Sequence, residues 1–385
     1  MPKILHITAS YKPAYIYGGP VISVSSLCEA LAFETTDVTV LTTTANGKED
    51  FKIKNKELKL INGVKVFYFH RKTKDHSHWS PSLLLFLYRN VKSYDIIHIH
   101  AWWNLVSMGA ALVCKLRDKP FILSPRGTLT TYTLNSKKNK YKTWFHQFIG
   151  KRLLNKVNFQ VSTYKESNDI KLLFHKPSIQ VLPNLISLSP LSFINNDYIN
   201  NSFYEKNKPL KLLFFSRIER KKGLNFLIKA LNETEINFTL DIYGVGENNY
   251  IELLQEMIDK KNIDKIKWEG SVFGEKKFEI LSSYDLLVLT SYDENFANVI
   301  VESLSTGTAV LITKGVGLSD FVLEKDLGWV CEQTIESINT TLNQITIERT
   351  KLDRIRKEAP SIIHHIFSKE VLIKEYIKYY QKFVS

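Results

Sequence analysis

Two glutamates eight residues apart, Glu294 and Glu302, bracket the start of a short apolar-patterned stretch, NVIVESLST at 298–306. Before it, LLVLT (286–290) is an unbroken apolar run ending in polar residues, the signature of a buried parallel strand. After it, AVLIT (309–313) is the next strand. The stretch between them predicts a helix, with Asn295 able to cap it and Gly307 standing where a left-handed C-terminal residue is wanted. A strand–loop–helix–strand unit aims its helix N-terminus at the carboxyl edge of the sheet, where free amides attract phosphate. Acids beside such an anion site make sense if each accepts hydrogen bonds from hydroxyls, a ribose on one side and a sugar on the other. The plainer alternative puts Glu302 on a solvated helix face and Glu294 in an ordinary loop.

Cations stand upstream. FFSRIERKKG (214–223) directly follows an apolar run, so Arg217 and Lys222 emerge from the carboxyl end of a strand. Two cations there neutralise a diphosphate and stabilise it as a leaving group; Arg220 and Lys221 fit a solvated charge run better. Near the N-terminus, Tyr17-Gly18-Gly19-Pro20 places two glycines and a first-turn proline at the start of a helix, a second anion-facing terminus. DIIHIH (95–100) brings His98 and His100 onto one face of a strand; His100, at the exit, is the one expected to reach a ligand, and His98 reads as a satisfied core histidine. In SPRGTL (124–129), Arg126 is either an anion contact or a salt-bridge partner. The GVG at 244–246 lacks full dinucleotide spacing and reads as a tight βα turn.

The elements that must position these groups alternate strand and helix. In the first half the strands are ILHIT (4–8), VTVLT (38–42), VKVFYF (64–69), DIIHIH, PFILS (120–124), FQVS (159–162) and IQVL (179–182), with a turn at Asn62-Gly63. The clearest helix is PVISVSSLCEALAFE (20–34), whose stripe is Val21, Val24, Leu27, Cys28 and Leu31. Residues 188–209, rich in Asn and Ser, read as an interdomain connection. A second series comes after it: LKLLFFS (210–216), FTLDIYG (238–244), IKWEG (266–270), LLVLT and AVLIT. Two Rossmann-like domains in tandem are implied: 1–187 plus a crossover helix at 364–385, and 210–363.

At 385 residues, two cores are expected. No apolar run is long enough to span a bilayer, the N-terminus reads as a strand and not a signal peptide, and Cys28, Cys114 and Cys331 are scattered, so a reduced, cytoplasmic protein is expected. The net charge of +13 is uneven: residues 115–156 hold 11 basic residues and one acid, Asp118. Within that block KTWFHQFIGKRLLNK (142–156) mixes aromatic and aliphatic residues with cations. It is either a helix lying peripherally on an anionic membrane, with 137–156 as the contact, or a core-packed helix with a solvated basic face. No nucleic-acid module is visible, so a nucleic-acid partner is not expected.

Taken together, Gly18-Gly19, HIH at 98–100, Ser162-Thr163 with Glu166, Pro183-Asn184, SRIERKKG, YGVG (243–246), WEGSV (268–272) and YDLLVLTSYDENFANVIVESLSTGTAV (284–310) resemble the retaining glycosyltransferases of family 4 over nearly the whole chain. The resemblance implies an α/β GT-B fold, two Rossmann-like domains facing across a cleft, with the last helix crossing back to the first domain. It implies a catalytic set of His100, Glu294, Arg217 and Lys222. Donor contacts would come from Gly18, Gly19, Arg217, Lys222, Glu294, the backbone at Phe296, Ala297 and Asn298, and Glu302; Arg126 would touch acceptor or anion. It further implies a nucleotide-sugar donor, a saccharide or lipid-linked acceptor, no cofactor, no metal, and a setting in bacterial surface polysaccharide assembly. A silent sugar-nucleotide-binding scaffold or an epimerase on the same architecture is the alternative. Three departures stand out: Ala297 replaces a usual glycine, as does Leu185 after Pro183-Asn184, and Ala309 replaces a usual proline.

Overall fold

The structure, a computed structural model, describes residues 2–34, 37–135, 140–190, 208–272 and 274–384. Most of the expected 188–209 connection therefore lies outside the described residues, as do 137–139 of the basic segment. The chain divides into two compact units, Met1–Ile186 with Lys369–Ser385, and Ser187–Ser368.

The first unit is built on β1 (Lys3–Ile7), β2 (Asp37–Thr43), β3 (Ala45–Asn46), β4 (Glu49–Asp50), β5 (Glu57–Ile61), β6 (Val64–Phe69), β7 (Ile96–His100), β8 (Ile122–Ser124), β9 (Asn158–Val161) and β10 (Ser178–Val181). Eight of them form one sheet in the order β10-β9-β8-β7-β1-β2-β6-β5. All its pairings are parallel except β5 with β6. That antiparallel edge is made by Asn62 (φ 48°) and Gly63 (φ 84°), both left-handed as a two-residue hairpin turn requires. The turn is legible in the sequence; β5 is not, because it is a short edge strand with three of its five residues exposed, Leu58 and Leu60 among them. Helix Gly19–Phe33 buries Val21, Val24, Leu27, Cys28 and Leu31, and also Ser23, Ser25 and Ala30. It is enclosed over most of its circumference.

The second unit carries β11 (Leu210–Phe215), β12 (Phe238–Tyr243), β13 (Ile266–Gly270), β14 (Leu286–Leu289), β15 (Ala309–Thr313) and β16 (Gly328–Cys331) in the order β13-β12-β11-β14-β15-β16, all parallel. β16 is the strand missing from the sequence reading, since GWVC is too short and too mixed to stand out. β14 and β15 are buried throughout, as fully apolar parallel strands must be.

The last helix, Lys369–Gln381, belongs to the first unit, where it packs on Gly19–Phe33. The Tyr376 hydroxyl donates to the Pro183 carbonyl at 3.1 Å, and the Tyr380 hydroxyl meets His98 Nδ1 at 2.6 Å.

Candidate active site

In the second unit the loops leaving β11 and β14 are stitched side by side. The backbone N–H of Tyr292 donates to the Lys221 carbonyl (2.9 Å), and Thr290 Oγ1 donates to the Gly223 carbonyl (2.9 Å). Gly223 sits at φ +69°, and a Cβ there would lie 1.9 Å from the Thr290 carbonyl oxygen, so only glycine lets the two strand exits touch. This contact fixes Lys222, whose ammonium is 2.6 Å from Glu294 Oε1, with both side chains mostly enclosed. Lys221 reaches Asp293 at 3.1 Å. Arg220 stays exposed, as the expected solvated run requires, and covers the Tyr250 ring, while the partly exposed Lys221 also serves this seam.

Glu294 is also held by its backbone. Its N–H donates to Gly315 (3.1 Å) and its carbonyl accepts from Gly317 (2.8 Å), so the GVG of the loop after β15 brackets it. Helix Asn298–Ser305 then begins, but not as the sequence suggests. Its N-cap position is Ala297, not Asn295, and the Ala297 side chain makes no capping hydrogen bond. Ala297 is left-handed, at φ 55° and ψ 76°, so its presence where glycine is usual is not neutral: its angles are those an L-residue disfavours. The helix ends as expected, with Gly307 left-handed at φ 84°. Phe296 is buried edge-on against Phe367, so only its backbone is available to a ligand. Glu302 does not face solvent. It is buried and accepts from Lys277 Nζ at 2.7 Å, which leaves acceptor capacity on a carboxylate with four lone-pair sites. Arg217 is brought to no other predicted residue; half-exposed, it pairs with Glu219 at 2.6 Å.

In the first unit Gly18 (φ 69°, ψ −137°) is the N-cap of helix Gly19–Phe33, a conformation reserved for glycine, and no side chain caps the helix. His100 departs from expectation. It is as enclosed as His98, and both of its nitrogens are taken. Arg126 Nε donates to His100 Nδ1 at 3.2 Å, and His100 Nε2 lies 2.9 Å from His6 Nδ1. Since guanidinium only donates, His100 must carry its proton on Nε2 and give it to His6, whose own proton is then on Nε2, an atom with no partner. Arg126, left-handed at φ 51°, also donates to Ser23 Oγ (2.8 Å) and Asn184 Oδ1 (2.9 Å). Its three acceptors are neutral, so it is no salt-bridge partner. His98 meets the expectation of a satisfied core histidine, held between Tyr380 and Ser124 Oγ, both at 2.6 Å.

Burial is the largest reason the three imidazoles stay neutral: the pKa of His6 is lowered to about 3, and those of His98 and His100 lie well below 6.5, with the Arg126 charge adding to each. Their ligating atoms lie within 4.8 Å of one another. The cluster is nonetheless wired as a hydrogen-bond chain, and a cation there would displace Tyr380, Ser124 or Arg126 and sit beside a guanidinium. Sequence reasoning missed His6, although its place in ILHIT matches His98 across the β1–β7 ladder. It missed Lys277, for which the sequence carries no signal.

Comparison with known proteins decides the family. The model of "Glycosyltransferase Family 4" matches residues 17–189 and that of "Glycosyl transferases group 1" matches 197–361, so the two together span both units. The chain belongs to the family 4, group 1 glycosyltransferases. An uncharacterised glycosyltransferase of Methanocaldococcus jannaschii is 24% identical over 98% of each chain. One component of the human phosphatidylinositol N-acetylglucosaminyltransferase is 21% identical over 80% of this chain and 62% of its own. Among solved structures, sucrose-phosphate synthase from Thermosynechococcus elongatus superimposes with a TM-score of 0.77 at 17% identity, covering 99% of both chains. HepE of Anabaena, in complex with UDP and glucose, gives 0.74 at 16%, covering 99% of this chain and 100% of its own. This glycosyltransferase shares their GT-B fold.

Proposed function

We propose that this glycosyltransferase moves a hexosyl group from a nucleoside-diphosphate sugar to a saccharide or lipid-linked acceptor, with retention of anomeric configuration and without a metal. The observation that carries the donor assignment is the Lys222–Glu294 pair, fixed at the carboxyl end of β11 beside the N-terminus of helix Asn298–Ser305. The ammonium and helix amides bind the diphosphate, with Arg217 turning from Glu219 to join them; Glu294 accepts from sugar hydroxyls and Glu302 from the ribose. Cationic side chains thus offset the leaving-group charge. In the retaining step the C1–O bond to diphosphate breaks while the acceptor oxygen bonds C1 on the same face. The acceptor proton passes to a donor phosphate oxygen. Support for the donor class comes from HepE, solved with UDP-glucose. Support for a surface-glycan setting comes from the lipopolysaccharide core glycosyltransferase of Rhizobium meliloti, 23% identical over 43% of this chain.

A panel of nucleotide sugars scored by thermal stabilisation identifies the donor. Transfer assayed with chelator, and the product anomer read by NMR, test the mechanism. Loss of transfer in EDTA, or an inverted product, overturns the corresponding claim; Glu302→Ala that retains full activity removes the donor assignment. Binding of the nucleotide sugar without transfer to any acceptor marks a scaffold instead.

A further inference from the structure

The segment from Lys140 to Leu153 runs as α-helix (Lys140–Phe145), one π turn (His146–Gly150) and α-helix again (Lys151–Leu153), closed by Lys151 N–H to the His146 carbonyl. The extra residue in the turn rotates the helix beyond it and gives the segment two apolar faces. One is core: Phe145 stands edge-on to Trp103 (6.2 Å), His146 edge-on to Phe174 (5.4 Å), and Leu154 is buried. The other is bare. Trp144, Phe148 and Ile149 are 59, 51 and 41% exposed, the two rings lying 5.4 Å apart. Lys151, Arg152 and Lys156 flank them, all exposed. Helix Leu105–Leu116 is tied on by Lys115 Nζ to the Asn155 carbonyl (3.0 Å). The two sequence alternatives for this segment are therefore not exclusive: the core-packed helix exists, and its outer side still carries unburied aromatics.

We propose that this face docks on an anionic lipid bilayer, Trp144, Phe148 and Ile149 entering the interfacial layer while Lys151 and Arg152 meet lipid phosphates. Charge selects the occupant. With eleven basic residues to one acid over 115–156, a second copy of the chain would bring the same positive potential against itself, whereas an anionic leaflet complements it. Interfacial aromatics beside cations are the composition of a surface-lying helix, and the segment lacks the length and continuity to span.

Co-sedimentation of the full chain with phosphatidylglycerol–phosphatidylcholine vesicles tests this, with pure phosphatidylcholine as control. Binding is expected on anionic vesicles alone and falls with added salt. The variant W144S/F148S/I149S loses it with an unchanged thermal melt. K151Q/R152Q weakens it about thirtyfold, about fivefold per lost charge. Brominated acyl chains quench the wild type, and Trp144→Phe removes part of that quenching while sedimentation persists. Absence of binding to anionic vesicles at low salt, or undiminished binding by the triple serine variant, overturns the proposal. So does a concentration-dependent dimer that the triple variant abolishes, or binding of duplex DNA that this variant loses. Nucleoside-diphosphate binding is not involved, so failure here leaves the donor assignment standing.

Discussion

Lys222 Nζ lies 2.6 Å from Glu294 Oε1, and neither side chain is more than 15% exposed. A lysine and a glutamate 72 positions apart thus share one enclosed spot, and each is the other's counter-charge until a phosphate arrives. Removing the ammonium strips a leaving-group contact and strands a carboxylate. Lys222→Ala is expected to lower the transfer rate by roughly 10²–10³ and stability by about 1–3 kcal/mol. K222A/E294Q recovers the stability but not the rate. Initial rates beside urea unfolding separate the two effects; a single variant with wild-type turnover refutes the assignment.

Ala297 holds left-handed angles that glycine adopts without penalty. Ala297→Gly is expected to add about 1 kcal/mol, visible as a raised urea midpoint at constant slope. A lowered midpoint means that the alanine methyl contributes packing that outweighs its strain.

Gly223→Ala is the opposite case. The added methyl would lie 1.9 Å from the Thr290 oxygen at a backbone angle alanine resists, so the seam under Lys222 must open. A loss of several kcal/mol is expected, with donor affinity falling in parallel. Unaltered affinity would show that the seam does not position the ammonium.

The imidazole chain makes stability pH-dependent. His6, His98 and His100 are neutral when folded and bind protons near pH 6.5 when unfolded, so below that pH the unfolded chain holds more protons and folding weakens as pH falls. Stability is complete above pH 6.5. It drops by about 2 kcal/mol per histidine at about pH 5. Replacing His6 by asparagine should flatten the slope of melting temperature against pH by one proton. A flat profile from about pH 7.5 to 5 in the wild type contradicts the burial of these rings.

The legible part of the sequence divides from the rest along physical lines. Fully buried parallel strands such as β7 and β14 announce themselves as apolar runs, and glycines at special angles (Gly18, Gly63, Gly307) mark turns and caps. Glu294 and Lys222 stand out because their loops leave such strands. Partnerships made across the fold leave no local trace: Lys277 with Glu302, Asp293 with Lys221, His6 with His100. The cap falls on Ala297 and not on the expected Asn295 because side-chain preference points to asparagine, while the Gly315 and Gly317 contacts decide where the loop ends. His100 reads as open because it is the last residue of its strand, and Arg126 arriving from the β8 exit is what encloses it.

The bond from Tyr380 to His98 spans 282 positions, and it delays assembly. During synthesis, the Tyr380 hydroxyl can reach His98 of β7 only after every residue between them has been made. Until then the face of helix Gly19–Phe33 that Lys369–Gln381 covers lacks its partner, and a chain stopped short of Tyr376 and Tyr380 leaves His98 without its hydroxyl.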